Sequence, residues 1–260
     1  VVTGTADTAA SLLGAGIVDS GTLLLSLSTG AQVMTPRVEF APDPSGRAHT
    51  FCSALEPGTG NPGWYQMGAT LVAGMAMRWL RDEVLRLPTA GAYERMTALA
   101  ERSDIGARGA LFLPYLVGER TPHMDAAARG AFLGLTAQHE SGDLVRAVME
   151  GVTLATYDAF AVLRETGAAP ERIVMAGGGA RSPLWRQMVA DIFGLPVFAL
   201  STVDQAAMGA ALLAGAGAGV FAPDEASQRW ARYGARSDPE PRRHDRYQEL
   251  SEIFREAYAP

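Results

Sequence analysis

The sequence predicts an α/β fold with a mixed β-sheet flanked by helices, and two observations support this. Near the start, the β-rich runs Leu23 to Leu27 and Ala31 to Thr35 are joined by only Ser28, Thr29 and Gly30, as in an antiparallel hairpin. Later in the chain, buried-strand patterns alternate with helical ones, which is typical of parallel strands joined by right-handed crossovers. A hairpin followed by parallel strands gives a mixed sheet.

The other elements of the first half follow from periodicity and from breaker residues. Apolar residues recur every three or four positions from Met67 until Pro88, which predicts a helix. The run from Pro114 to Leu135 is rich in polar residues, glycine and proline and is predicted to be mainly a loop. The remaining predictions are a strand at His49 to Ala54, a helix at Tyr93 to Glu101, and short apolar runs at Leu111 to Leu113 and Ala131 to Leu135.

The second half begins with a long predicted helix from Ser141 to Gly167, because apolar residues form one continuous face. That face carries Leu144, Val148, Val152, Ala155, Ala159 and Val162. The alternating elements that follow are a strand at Ile173 to Ala176, a helix at Pro183 to Phe193, a strand at Val197 to Leu200 and a helix from Gln205 to about Ala216. The charged tail from Ser237 to Pro260 predicts an amphipathic helix with Tyr247, Leu250, Ile253 and Phe254 facing inward.

Composition and charge exclude several classes of protein. The 260 residues are 48% hydrophobic and 19% charged, as in a globular protein with a large core, and the net charge is −6 without a basic stripe. We therefore expect no nucleic-acid partner. The single cysteine, Cys52, cannot form an internal disulfide, which predicts a cytoplasmic protein, and we interpret it as a small buried residue. The apolar run AAMGAALLAGAGAGVF is too short to span a membrane.

Gly177, Gly178 and Gly179 form the first candidate binding motif. They follow a predicted strand and precede a helix start at Ser182 and Pro183, so a ligand could approach the backbone and the unpaired amides of the helix. The spacing matches neither the dinucleotide-binding nor the Walker pattern. A purely structural turn, with Ser182 as the helix N-cap, is the alternative interpretation.

Two further motifs carry weaker signals. The turn Ser28-Thr29-Gly30 could grip a phosphate through backbone amides and the Thr29 hydroxyl, although an ordinary hairpin turn has the same composition. Asp7 stands at the start of an apparent helix, where a carboxylate is most often an N-cap. A general base that accepts a proton from an alcohol during phosphoryl transfer is the alternative role for Asp7.

The segment PYLVGERTPHMDAAARGAFLGL, from Pro114 to Leu135, combines charged residues with a histidine. Its spacing fits no established metal-ligand pattern, so no metal site is predicted. We expect Arg120 and Arg129 to form ion pairs with Glu119 and Asp125 and so to hold the loop.

This segment and five others, in the same order, resemble the FGGY family of sugar kinases and, within it, the xylulokinases. The other segments are GTADTAASLLGAGIVDSG, LSLSTGAQV, PGWYQMGATLVAGMAMRWLRD, GGGARSPLWRQMVADIFGLPV and DQAAMGAALLAG. The resemblance covers nearly the whole chain but only the second of the family's two domains. It implies an RNase H-like domain of the actin and hexokinase ATPase type over residues 1–260, part of a longer protein whose N-terminal sugar-binding domain is absent here.

The resemblance also implies a reaction and roles for the motifs. The whole enzyme would use ATP and Mg²⁺ to convert D-xylulose to D-xylulose 5-phosphate. Asp7 would be the catalytic base, Thr29 and Gly30 would bind phosphate, and the glycines from Gly177 to Gly179, with Ser182 beside them, would line the adenosine site. Isolated from the first domain, this half is expected to be inactive. Dimers are common in the family, so a homodimer is possible.

Two positions depart from the family pattern. Ser28 replaces a glycine in the phosphate hairpin, and Asp204 replaces a glutamate before the last Ala-rich helix. Two alternatives to a xylulokinase stay open. One is another family substrate, such as ribulose, gluconate or glycerol. The other is a nucleotide-binding or interaction domain without catalysis.

Overall fold

The computed structural model describes residues 2–58, 61–202 and 204–258. Its centre is a seven-stranded sheet in the order β3-β4-β2-β1-β7-β8-β9, beside a two-stranded ribbon of β5 and β6. The strands are β1 Thr22–Leu27, β2 Ala31–Arg37, β3 His49–Cys52, β4 Trp64–Thr70, β5 Leu111–Leu113, β6 Ala131–Leu133, β7 Arg172–Ala176, β8 Val197–Leu200 and β9 Tyr233–Ser237.

Strand direction changes within the large sheet. β1, β7 and β8 are parallel neighbours, whereas β2, β4 and β3 on one side are joined by antiparallel pairing. β9 closes the other side antiparallel to β8. The predicted hairpin and the predicted mixed sheet are both confirmed.

Eight α-helices are found in the described part of the chain. They are α1 Asp7–Gly14, α2 Gly74–Trp79, α3 Ala92–Ala100, α4 Ser141–Glu165, α5 Pro183–Phe193, α6 Gln205–Gly217, α7 Pro223–Trp230 and α8 Pro241–Glu256. A π-helical segment, Leu80–Val84, continues α2, and short 3₁₀ turns occur at Ala107–Gly109 and Gly178–Arg181. α4 begins with a capping box in which the Glu140 amide donates to the Asp143 carboxylate at 2.9 Å.

The sheet is covered on both faces. Leu23, Leu25 and Leu27 of β1 pack in the cluster that contains α4 and α5, whereas Leu24 packs in the cluster that contains α1. All four side chains are buried, as expected of a central strand between two helical layers. α1 in turn packs against α6.

The helix predicted from Met67 begins too early. Residues up to Thr70 belong to β4, which pairs with both β2 and β3, and α2 begins only at Gly74. The spacing of the apolar residues fits a helix, but hydrogen bonding to a strand on each side makes the strand the more stable structure there.

Three other details differ from the sequence prediction. Helix α7 and strand β9 were not predicted, and Cys52 is exposed on the edge strand β3 rather than buried. The tail helix is present as α8, but Ile253 is 52% exposed, whereas Tyr247 and Phe254 are buried. The last two residues of the predicted tail, Ala259 and Pro260, lie outside the described residues.

A Gly151→Ala substitution tests the packing of α4. A methyl group at Gly151 would overlap with the carbonyl oxygen of Phe112 in β5. Although alanine favours helix by about 1 kcal/mol, the overlap should reduce the free energy of unfolding by about 1–3 kcal/mol. Urea denaturation measures the change. Gly4→Ala, where the added methyl group meets no atom within 4 Å, serves as control. If the two substitutions change the free energy of unfolding equally, Gly151 of α4 does not pack closely against Phe112.

Candidate active site

The hairpin turn and the glycine turn lie side by side. β1 and β7 pair in parallel up to Ser26 opposite Ala176, so the residues that follow emerge at the same edge of the sheet. A Cβ atom on Gly177 would overlap with the Leu27 carbonyl and lie 2.9 Å from Ser28 Oγ, and the φ of Gly177 is +83°. Only glycine fits this contact, so the two turns are held together at backbone distance.

Hydrogen bonds from the start of α2 hold the hairpin turn in place. The amides of Ala73 and Met75 donate to the Thr29 carbonyl at 2.9 and 3.0 Å, and the Gly74 amide donates to the Ser28 carbonyl at 2.8 Å. The side chains of Ser28 and Thr29 are exposed. The backbone of the turn is thus fixed through its carbonyl groups, while the side chains of Ser28 and Thr29 stay accessible to solvent.

The glycine turn has one open and one closed position. A Cβ atom on Gly178 would meet nothing within 4 Å, whereas one on Gly179 would lie 2.9 Å from the Leu27 side chain. Ser182 Oγ accepts a hydrogen bond from the Trp185 amide at 3.3 Å and caps α5. The Ser182 side chain therefore has a structural contact, and Gly178 has free space in front of it.

Asp7 is the first residue of α1, and its carboxylate is exposed. Ala6 occupies the N-cap position, and the Asp7 carboxylate accepts a hydrogen bond from the adjacent Thr8 amide at 2.8 Å. The default interpretation of Asp7 as an N-cap is therefore wrong. The Thr8 hydroxyl hydrogen-bonds the Tyr65 hydroxyl at 2.7 Å, which ties this end of α1 to β4.

The register of the sheet shows which candidate residues come together. Thr70, at the end of β4, pairs with Ala31 next to the hairpin turn, whereas Tyr65 pairs with Pro36. Thr70 lies five positions after Tyr65, so the two Cα atoms are roughly 16 Å apart along the strand. Contacts therefore link the hairpin turn with the glycine turn at one edge of the sheet, whereas Asp7 is connected through Thr8 to the Tyr65 hydroxyl.

The charged loop is not held by the predicted ion pairs. The Arg120 guanidinium hydrogen-bonds His49 Nε2 at 2.9 Å, and Arg129 donates to two backbone carbonyls of its own loop. Asp125 accepts from the Tyr258 hydroxyl at 2.8 Å. The prediction that Arg120 and Arg129 pair with Glu119 and Asp125 is wrong, because these four side chains bond instead to backbone groups, to the His49 imidazole and to the Tyr258 hydroxyl.

Glu119 is a residue whose importance the sequence did not reveal. It is 3% exposed, and its Oε1 accepts hydrogen bonds from the Leu71 amide at 2.8 Å and the Arg120 amide at 2.7 Å. Within the described residues, no partner reaches its other oxygen. Burial raises the pKa of Glu119 to about 7, against the opposite effect of the two amides and Arg120. The sequence had indicated Glu119 only as part of the family signature and as an ion-pair partner in the charged loop.

Two cavities lie away from the candidate residues. One of about 490 Å³ is lined by Phe160, Arg164 and Phe193, and another of about 340 Å³ is lined by Arg146 and Tyr247. The described ranges contain no group of three or more His, Cys, Asp or Glu side chains placed to hold a metal ion. In the same ranges, every helix is too short or too polar to cross a bilayer.

Comparisons with known proteins agree with the sequence resemblance. Residues 23–218 match the FGGY family of carbohydrate kinases, C-terminal domain. The chain is 35% identical over 259 residues to the xylulose kinase of Staphylococcus epidermidis, an alignment that covers 99% of this chain and 51% of that protein. It is 34% identical over 220 residues to the gluconokinase of Bacillus subtilis, covering 82% of this chain and 42% of that protein.

A solved structure shows the same architecture. The xylulose kinase from Rhodospirillum rubrum superposes with a TM-score of 0.86 at 32% identity, over 98% of this chain and 50% of that one. The match confirms the expected ATPase fold of the actin and hexokinase type. The chain spans about half the length of the curated relatives it matches.

The pKa of Glu119 predicts a pH dependence of stability. Because the pKa is about 7 in the folded chain and ordinarily 4.5, the folded state binds the proton more tightly, and the free energy of unfolding falls as the pH rises between these values. Glu119→Gln removes that loss. Relative to wild type, the free energy of unfolding of the variant should therefore increase by up to about 3 kcal/mol between pH 4 and pH 8. Urea denaturation at both pH values measures this change. If the difference in free energy of unfolding between variant and wild type is the same at both pH values, Glu119 has its ordinary pKa.

Proposed function

Because the chain belongs to the FGGY family of carbohydrate kinases, we propose that it is the nucleotide-binding C-terminal domain of a kinase that phosphorylates D-xylulose with ATP. The observation that carries the proposal is the contact between the hairpin turn and the glycine turn, with open space in front of Gly178. Two backbone turns that meet at one edge of the sheet suit a ligand that carries phosphate groups as well as a flat base.

Each turn has its own part in binding ATP. Thr29 and Gly30 contact the phosphates through the Thr29 hydroxyl and backbone amides, because the carbonyls of the turn are already bonded to the start of α2. Gly177, Gly178 and Gly179 line the adenosine, whose approach a side chain at Gly178 would block. Ser182 caps α5 and so shapes this turn.

Phosphoryl transfer needs a group that accepts the proton of the sugar hydroxyl, and Asp7 is suited to it. Its carboxylate is exposed at the start of α1, where an acceptor alcohol could reach it. The hydroxyl oxygen forms a bond to the γ-phosphorus, the bond to the leaving ADP oxygen breaks, and Asp7 takes the proton. Mg²⁺ would neutralise the phosphates and would be carried by the nucleotide, since it usually keeps waters and substrate oxygens as ligands.

The remaining parts of the enzyme are assigned to the half of the relatives that lies outside the part aligned with these 260 residues. That half would supply most sugar contacts and the opposite wall of the cleft, so the 260 residues alone should not phosphorylate sugar. Closure of such a cleft excludes water and aligns the acceptor. Ser28 narrows the phosphate turn on this side, because its Oγ lies near Gly177.

Gluconate is the second candidate substrate, because the gluconokinase of Bacillus subtilis is nearly as similar as the xylulose kinases. An assay of ADP release with D-xylulose, gluconate, ribulose and glycerol distinguishes these substrates. The assay uses the longest polypeptide encoded by the reading frame that contains this chain. ATP binding without phosphorylation of any of them would favour a domain without catalysis.

Asp7→Asn tests the general base. The exchange should lower kcat for sugar phosphorylation about 10²- to 10⁴-fold, because no carboxylate remains to accept the proton. The KM for ATP should change little. Asp19→Asn, at another exposed carboxylate on the loop after α1, is the matched control and should keep kcat. A kcat that survives the Asp7 exchange would remove Asp7 from the mechanism.

Gly178→Ala tests the nucleotide site without disturbing the fold. The added methyl group points into open space, so the free energy of unfolding should change by about 0.5 kcal/mol or less. If adenosine occupies this space, the affinity for ATP should fall about tenfold or more, measured by calorimetric titration. An unchanged affinity for ATP would show that the adenine base of ATP binds elsewhere.

A further inference from the structure

The loop that contains Glu119 is bonded to the end of β4 at two points. Glu119 Oε1 accepts the Leu71 amide, 48 positions earlier in the chain. Thr121 pairs with Ala69 in both directions: its amide donates to the Ala69 carbonyl at 3.0 Å, and its hydroxyl accepts from the Ala69 amide at 3.1 Å. The hydroxyl also donates to the Arg47 carbonyl at 2.7 Å. The last residues of β4 are therefore fixed by this loop.

The end of β4 leads directly into the segment that holds the hairpin turn. A Cβ atom on Gly30 would lie 2.5 Å from the Thr70 carbonyl oxygen and 3.0 Å from that of Leu71. Two residues after Leu71, the amides of residues 73–75 donate to the carbonyls of Ser28 and Thr29. The position of Leu71 therefore determines where this turn lies.

Glu119 makes these contacts as a buried carboxyl group. The Arg120 guanidinium is hydrogen-bonded to His49, so Arg120 contributes its backbone amide to Glu119 rather than an ion pair. The titratable groups that interact electrostatically with Glu119 are Arg120, Tyr115 of the same loop and Tyr258, which follows α8. A buried acidic side chain with two amide donors is costly in free energy and needs a structural or functional reason.

We propose that Glu119 is a positioning residue for nucleotide binding: by fixing Leu71, it sets the place of the turn Ser28-Thr29-Gly30. The inference rests on the proposed function of that turn. Glu119 itself touches no reacting atom. Loss of its acceptor oxygen frees the Leu71 amide and loosens the segment that holds the turn, so phosphate binding weakens more than the transfer step.

Three variants distinguish the positioning role of Glu119 from a general effect on stability. They are made in the longest polypeptide encoded by the reading frame that contains this chain. Glu119→Ala removes the acceptor and should raise the KM for ATP about tenfold, with a smaller change in kcat. Glu119→Gln keeps an oxygen acceptor and should restore the KM. Glu119→Asp, whose shorter side chain should not reach Leu71, gives the same test as alanine if the alanine variant does not fold.

Glu150→Gln is the control for buried glutamates. Glu150 is bonded to Arg146 and Tyr247, in the network on the α4 and α8 side of the sheet. Its substitution should destabilise the protein and leave the KM for ATP unchanged. If Glu119→Ala or Glu119→Asp raises this KM no more than Glu150→Gln at equal loss of stability, the proposal is overturned.

Hydrogen-deuterium exchange separates failure of this inference from failure of the proposed function. Glu119→Ala or Glu119→Asp should speed amide exchange in residues 28–30 and 71–75 of the 260-residue chain, and Glu119→Gln should not. If exchange responds in this way but the wild-type polypeptide phosphorylates no sugar, the kinase proposal fails and the positioning of the turn stands. Exchange that is equal in all variants overturns the positioning role whatever the activity.

Discussion

The parallel pairing of β1 with β7 is the interaction on which the candidate site depends. Both strands lie at the centre of the sheet and are buried on both faces, so their register is strongly determined. That register puts Ser26 opposite Ala176 and brings the next residues of each strand into contact. A slip of one residue would separate the hairpin turn from the glycine turn and would turn buried leucines to the wrong layer.

Sequence patterns predicted the elements whose signals are local. The hairpin has its turn residues within three positions, and α4 has an apolar face that continues for 25 residues. β4 was missed because the spacing from Met67 fits a helix, while its strand structure depends on two partners distant in sequence. β9 was missed for a related reason: it is a short, mostly exposed edge strand without alternating apolar residues.

The candidate site was predictable to the extent that glycine and turn composition reveal it. The sequence singled out Gly177 and Gly30, and the structure shows close backbone contacts at both. The role of Glu119 was hidden, because a glutamate next to an arginine suggests an ion pair. Its partners are instead two backbone amides, that of Arg120 and that of Leu71. Folding brings Leu71 near, and no residue type in the sequence indicates this contact.

The contact of Gly177 with the Leu27 carbonyl restricts how the length of the chain can vary. Two turns that touch at backbone distance leave no volume for an extra residue in either one, and an insertion would force the strands apart at their buried centre. Residues 44–46, at the tip of the loop between β2 and β3, are exposed, and a Cβ atom on Gly46 would meet no atom within 4 Å. Insertions and fused peptides are therefore better tolerated at the tip of this loop than in the hairpin turn or the glycine turn.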